Sequence, residues 1–443
     1  MKATTRSGLV LAALSLAATL AMAGDQTHVG PGNGAAAVLA SKSPVVSSAR
    51  TFLTMQANKL QDQTLREQTL DALNNPNTCI KHRANLDANA RQAILQQLLN
   101  AGLVDPNDAN TFPGGLITGV YPPVLNDNSA CPQLPMPFYA APGSTYHGHH
   151  SYPGGLPVHE SNNDTADVHL ADEYRQVYGY SGGAATAALN GFPTINQHLF
   201  DLTDNQIASQ QQEIYIDQDI IVGAPLWHDW AKPIVMQWFA DGSEFQELNF
   251  GGNGVTDNYG QAGNSKTGGH HIMSIAESMA RGLSPAFVIA QASAHSNPTS
   301  GNEYKVVNWL HAAAIMAQID PVAKGYLYVD SQNNLRLPPL RKLGDVNMNA
   351  AGQTNALVEY ELHNLSDADF TFSGPAINMV EEVLTVLAPQ FGYDPNDLPS
   401  YQTKFRNPVF SYNTAERLQI IYTEKGNDGI KAELTKMKNL GLI

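Results

Sequence analysis

The sequence predicts an all-α protein: a helical core with helical extensions at both ends and one short β-hairpin. Two observations carry this. Apolar residues recur at helical spacing along most of the 443-residue chain. Most of its fourteen histidines fall between residues 147 and 295, spaced along successive helical stretches.

The chain begins with a secretory signal peptide, expected over residues 1–23. Lys2 and Arg6 make a positive start, Gly8 to Leu20 is apolar, and Ala21-Met22-Ala23 is a small-residue cleavage site. The apolar run is too short and Ala-rich to favour a permanent anchor. The mature protein is therefore expected to be exported, periplasmic or secreted, with no membrane span after signal cleavage. The only two cysteines, Cys79 and Cys131, both lie in the exported part. One disulfide is expected in an oxidising compartment, with two free buried thiols as the alternative.

Residues 24–142 read as an N-terminal helical region. Its first part, 24–43, is rich in Gly and Ala and reads as a flexible leader. Val46, Phe52, Leu53, Met55, Leu60, Leu65 and Leu70 then recur at helical spacing until Asn74-Asn75-Pro76-Asn77 stops the pattern. Asp87 to Ala101 is an amphipathic helix closed by Gly102, and Pro113 to Pro142 is an irregular connection. Residues 143–324 form the helical core, interrupted by an expected insertion over Tyr178–Asn205 and a loop over Gly251–Gly269. Residues 325–443 carry a hairpin, Gly325–Pro338, and two helices, Ala376–Leu387 and Thr414–Leu440.

A formal charge of −15 excludes broad electrostatic attraction to nucleic-acid backbones, so no stable nucleic-acid binding is expected. A phosphorylated substrate would need local positive charge, and bound metal is the obvious source.

Four places concentrate histidine: His147, His149, His150 and His159; His228-Asp229, at the end of an apolar run; His270-His271, opening a helix; and His295. His311 follows in an apolar helix. Singly, these residues read as loop, helix-terminal or hydrogen-bonded core histidines. Together, a His or His-Asp near the ends of successive helices is what a metal site inside a helical bundle needs.

The order resembles the HD-domain metal-dependent phosphohydrolase superfamily. Pro153-Gly154-Gly155-Leu156-Pro157-Val158-His159 is similar to the first-histidine stretch of some members. Ile220 to Lys232 is similar to the segment carrying the His-Asp pair. Gly269-His270-His271 through Gly282-Leu283-Ser284-Pro285 to His295 is similar to the later part of two-metal members. The resemblance implies an HD-type bundle in which His159, His228, Asp229, His271 and His295 hold one or two divalent ions (Mn, Fe, Zn, Ni or Mg). Asp229 bridges them and Lys232 clamps a phosphoryl oxygen. His149, His150, His270 and His311 are further candidates as ligands or acid–base groups. The implied activity is hydrolysis of a phosphomonoester or phosphodiester by metal-activated water, on a phosphorylated small molecule or nucleotide. The alternatives are a di-iron oxygenase on the same scaffold and a non-catalytic metal-binding domain. Two departures stand out. Pro157 and Pro225 are expected to delay or bend their helices. The family's late Asp is absent from its expected place, where Ala312-Ala313-Ala314 stand, leaving His311 as a substitute.

Overall fold

Helix starts are written locally by capping side chains. Ser43, Asp62, Asp87, Asp217 and Ser284 each accept a backbone N–H of the first turn they precede. The computed structural model describes residues 24–178, 216–252, 265–298, 302–338 and 357–443. The expected signal peptide and nearly all of the expected insertion lie outside these residues.

The described chain is mostly helical. In order it forms α1 Asn33–Lys42, α2 Pro44–Ala57, α3 Gln63–Asn74, α4 Ala88–Asn100, α5 Gly115–Val120, α6 Gly155–Tyr178, α7 Gln218–Trp227, α8 Lys232–Val235, α9 Gly269–Ala280, α10 Pro285–Ala292, α11 Glu303–Ala317 and α12 Val358–Ser366. Beyond these lie α13 Phe370–Phe391, α14 Leu398–Tyr401, α15 Asn407–Asn413 and α16 Ala415–Asn439. Two small antiparallel sheets complete it. Asn249–Phe250 (β1) pairs with Thr267–Gly268 (β2), and Tyr328–Val329 (β3) with Leu335–Arg336 (β4), the second being the expected hairpin.

One hydrophobic cluster runs from Ala36 to Tyr360, so the N-terminal helices and the histidine-bearing core share their interior. α6 packs against α2, α7 and α12. A second cluster gathers α13, α15 and α16 around Tyr152. α16 is broken at Gly426, whose backbone leaves the helical region (φ 59°, ψ −153°).

The segment 24–43 is not a loose leader. Gln26 exchanges two hydrogen bonds with the backbone of Gln246, and Asn33 accepts from the Trp238 N–H at 2.9 Å. Gly32 lies so close to Phe239 that a Cβ there would come within 2.1 Å of its carbonyl oxygen. Gly32 serves close backbone approach rather than flexibility, a distinction composition does not make.

Cys79 and Cys131 are bonded, with Cα atoms 4.8 Å apart. The bond closes a loop with a sequence separation of 52. Replacing Cys131 with serine should lower the unfolding free energy by about 4 kcal/mol on chain-entropy grounds. A denaturant midpoint unchanged from that of the oxidised protein would contradict this.

Candidate metal centre

The histidines meet because helix ends converge. α6 begins beside a tight turn: a Cβ on Gly155 would come within 1.9 Å of the His150 carbonyl oxygen. Pro157 sits in the first turn of α6, where its missing N–H is tolerated, and His159 follows on the buried side. α7 is buried throughout from Ile220 to Trp227 and ends at His228-Asp229. Pro225 lies inside α7 without ending it, and its carbonyl takes up the His228 Nδ1 contact at 2.9 Å. α9 delivers His270 from its first turn, and the chain leaving α10 delivers His295. A single 3₁₀ turn between α12 and α13, Asp367–Asp369, supplies two carboxylates.

Two groups of donor atoms share Asp229, and a third, His150 with His159 and Asp369, lies beside them. In the first, His159 Nε2 is 3.3 Å from Asp229 Oδ2 and 3.2 Å from Asp367 Oδ1, and His228 Nε2 is 3.4 Å and 3.3 Å from the same oxygens. Metal–ligand bonds of about 2.0–2.2 Å put neighbouring donors roughly 3.0–3.5 Å apart, which these spacings meet. In the second, Asp229 Oδ1 is 3.0 Å from His270 Nε2, and His295 joins them within ligand-sharing distance. Asp229 thus faces both groups, one oxygen to each.

The buried donors also fit an ion chemically. His228 Nε2 is buried without a well-formed hydrogen bond among the described residues, and so are His270 Nε2 and Asp229 Oδ1, which meet only each other at 3.0 Å. Such atoms normally find a partner or hold an ion or water. Each imidazole has its Nδ1 engaged from outside: His228 by the Pro225 carbonyl, His270 by Glu247 at 2.6 Å, and His295 by Thr267 Oγ1 at 2.7 Å. His159 Nδ1 lies 3.0 Å from Asp369 Oδ1. This leaves every Nε2 facing the centre, the tautomer a metal needs. Asp369 is in turn held by His150 Nε2 at 2.9 Å. Replacing Asp369 with asparagine should weaken metal affinity about 10–100-fold, the usual effect of losing an outer partner. Metal titration of the variant checks it, and an unchanged affinity would count against this role for Asp369.

Burial opposes charge on His159 and His228, but the carboxylates outweigh it. Asp369, Asp229 and Asp367 hold His159 well above the usual imidazole range, and Asp229, Glu160 and Asp367 do the same for His228. For His270, burial is likewise outweighed, by Glu247 and Asp229, which raise it to about 9. For His295, burial and His270 outweigh the pull of Asp367 and Asp229 and push it down to about 4. Against burial, the surrounding cations keep Asp229 and Asp367 well below the carboxylate norm.

Several expected residues fall elsewhere. His271 turns away from the centre. Its Nε2 lies 3.1 Å from the Ala292 carbonyl, and its ring stacks on His295 at 4.1 Å and meets Trp309 edge-on. Burial and then His295 hold it well below the usual range, so it supports His295 as a neutral ring. His270 takes the position expected of His271. His311, partly exposed on α11, does not line the central cavity. A carboxylate does face His159 and His228, from Asp367 on the turn after α12 and not from the Ala312–Ala314 stretch of α11. Lys232 is buried and pairs with Asp229 while donating to the Gly143 carbonyl. His149 lines the cavity with its ring 4.9 Å from that of His159, and burial followed by His159 keeps it well below the imidazole norm.

Asp367, Asp369 and Glu247 join the site without a sequence motif to mark them. The Asp367-Ala-Asp369 pair sits just past a helix bearing His363, and that pairing of types was the one signal available. The cavity above the centre measures about 490 Å³.

No family model, curated protein or solved structure matches this chain. Fold and geometry define a mostly helical protein whose His/Asp clusters are able to hold metal ions. Among the described residues no helix is long and apolar enough to cross a membrane.

Proposed function

We propose that this chain is an exported, HD-type metal-dependent phosphohydrolase acting on a phosphomonoester or phosphodiester. The observation that supports it most is Asp229 placed between two donor groups at the floor of an open cavity: His159, His228 and Asp367 on one side, His270 and His295 on the other. Divalent ions bound there would supply a water deprotonated near neutral pH and a Lewis acid for the phosphoryl oxygens. The protein's own groups do the rest. Asp229 and Asp367 balance the cation charge. Asp369, Glu247, Thr267 and the Pro225 carbonyl fix the imidazoles. Lys232 lines the cavity beside Asp229 and is placed to meet negative charge developing on a phosphoryl group.

Elemental analysis of the purified mature protein, followed by a phosphatase and phosphodiesterase panel with the metal found, tests the reading. Bound divalent metal together with hydrolysis that disappears in a metal-stripped control is the expected result. Iron with dioxygen consumption and no hydrolysis would point to an oxygenase instead, and absence of metal would end both readings.

A further inference from the structure

The cavity walls differ sharply from its floor. Leu365, in the last turn of α12, and Phe370, at the start of α13, flank the turn that carries Asp367; they are 44% and 51% exposed and both line the cavity. Isolated exposed apolar side chains are ordinary on protein surfaces. Here two large ones flank a candidate metal ligand and face the same opening, with Met236 and Ala294 continuing the apolar wall inward. Polar groups converge at the floor and apolar groups at the mouth, as in small-molecule sites.

The charges at the floor set how many anionic groups can enter. Among the described lining residues Lys232 is the single lysine or arginine, and it is engaged by Asp229 and the Gly143 carbonyl. Asp229 and Asp367 belong to the donor groups. Glu247, also lining, is turned onto His270 and adds negative charge to the wall. One phosphoryl group would meet the ions and Lys232. A second, as in a nucleoside diphosphate, would find no further cation there and would face Glu247. The volume, about 490 Å³, accommodates one small organic substrate and lies inside the range of roughly 300–1,000 Å³ common for such sites.

From this we propose that the substrate carries a single phosphoryl group on an apolar aryl or alkyl group, and that Leu365 and Phe370 bind the apolar group. The proposal rests on the hydrolytic reading for the word substrate, but its binding content is tested without turnover. Metal-loaded protein is titrated calorimetrically with phenylphosphonate, methylphosphonate and adenosine 5′-(α,β-methylene)diphosphate. Burying a phenyl ring against these side chains should make phenylphosphonate bind about ten- to a hundredfold more tightly than methylphosphonate. It should also bind more tightly than the nucleotide analogue. In Leu365→Ser and Phe370→Ser the preference for phenyl over methyl should shrink at least severalfold, while metal content shows that the centre is intact. Both side chains are exposed, so the folded protein tolerates the change. Equal affinity for the two phosphonates, a tighter nucleotide analogue, a preference that survives both substitutions, or no phosphonate binding at all would each overturn the proposal. A protein that shows the phenyl preference but hydrolyses no ester would overturn the hydrolytic reading and leave the binding preference standing.

Discussion

Replacing Asp229 with asparagine should strip the protein of metal at both positions and reduce hydrolysis to background. Its two oxygens face different donor groups, 3.3 Å and 3.4 Å from His159 and His228 on one side and 3.0 Å from His270 on the other. An amide keeps the shape but loses the negative charge and half of the acceptor capacity. The loss should exceed the roughly 10–100-fold expected for outer partners such as Asp369. Both asparagine and alanine break the buried pair with Lys232, which typically costs about 3–5 kcal/mol of stability. Asparagine keeps an oxygen that can accept from Lys232 and alanine does not, so alanine is the poorer test and a melting curve accompanies either. Changing His270 to alanine should by contrast remove the second position and spare the first, halving the metal per chain. Elemental analysis of the purified variants reads these outcomes. Full metal content in Asp229→Asn would refute a centre shared through this residue.

Metal affinity should fall steeply as pH falls. In the metal-free protein His159 and His228 are held well above the ordinary imidazole value by surrounding carboxylates, and His270 near 9. An ion needs the Nε2 lone pair, so binding must displace those protons. Each displaced proton weakens binding about tenfold per pH unit below the folded-state value, so affinity should drop roughly 100-fold or more between pH 8 and pH 6. His295, near 4, is already neutral and contributes none of this dependence. Calorimetry in buffers of different ionisation heat counts the protons released; a flat affinity with no release would sink the assignment. Stability of the metal-free protein runs the opposite way with pH. A histidine whose value is raised on folding contributes fully below its unfolded value of about 6.5. That contribution is lost as pH rises through the folded value. For His270 this places the loss between about 6.5 and about 9, so the melting temperature of the metal-free protein should decline across that window.

Much of the fold was legible locally. Apolar spacing marked α4 over Asp87 to Ala101, where the structure has Ala88–Asn100 with Asp87 as its cap, and Gly102, with φ of 68°, stands where a helix-closing glycine was expected. The hairpin showed in its turn residues. The disulfide was expected because the sequence holds two cysteines, both beyond a stretch that reads as a signal peptide. The segment 24–43 packs where its composition suggests a loose leader, because glycine marks close approach and flexibility alike.

The sequence by itself determined that His228 and Asp229 are presented together, since adjacent residues at the end of a buried apolar helix have little choice of setting. Only the tertiary structure decided which of His270 and His271 faces them. Consecutive helical residues point about 100° apart, and packing of α9 on α10 and α11 sets which of the two turns inward. Only the tertiary structure, too, found the closing carboxylate. Asp367 stands 138 residues beyond Asp229 (367 − 229), past a stretch in which no local periodicity keeps count, and it reaches the centre because α12 packs against α6 and α7. Local preference fixes elements within a few turns. A metal centre is built from helix ends, and where those ends meet is set by long-range burial.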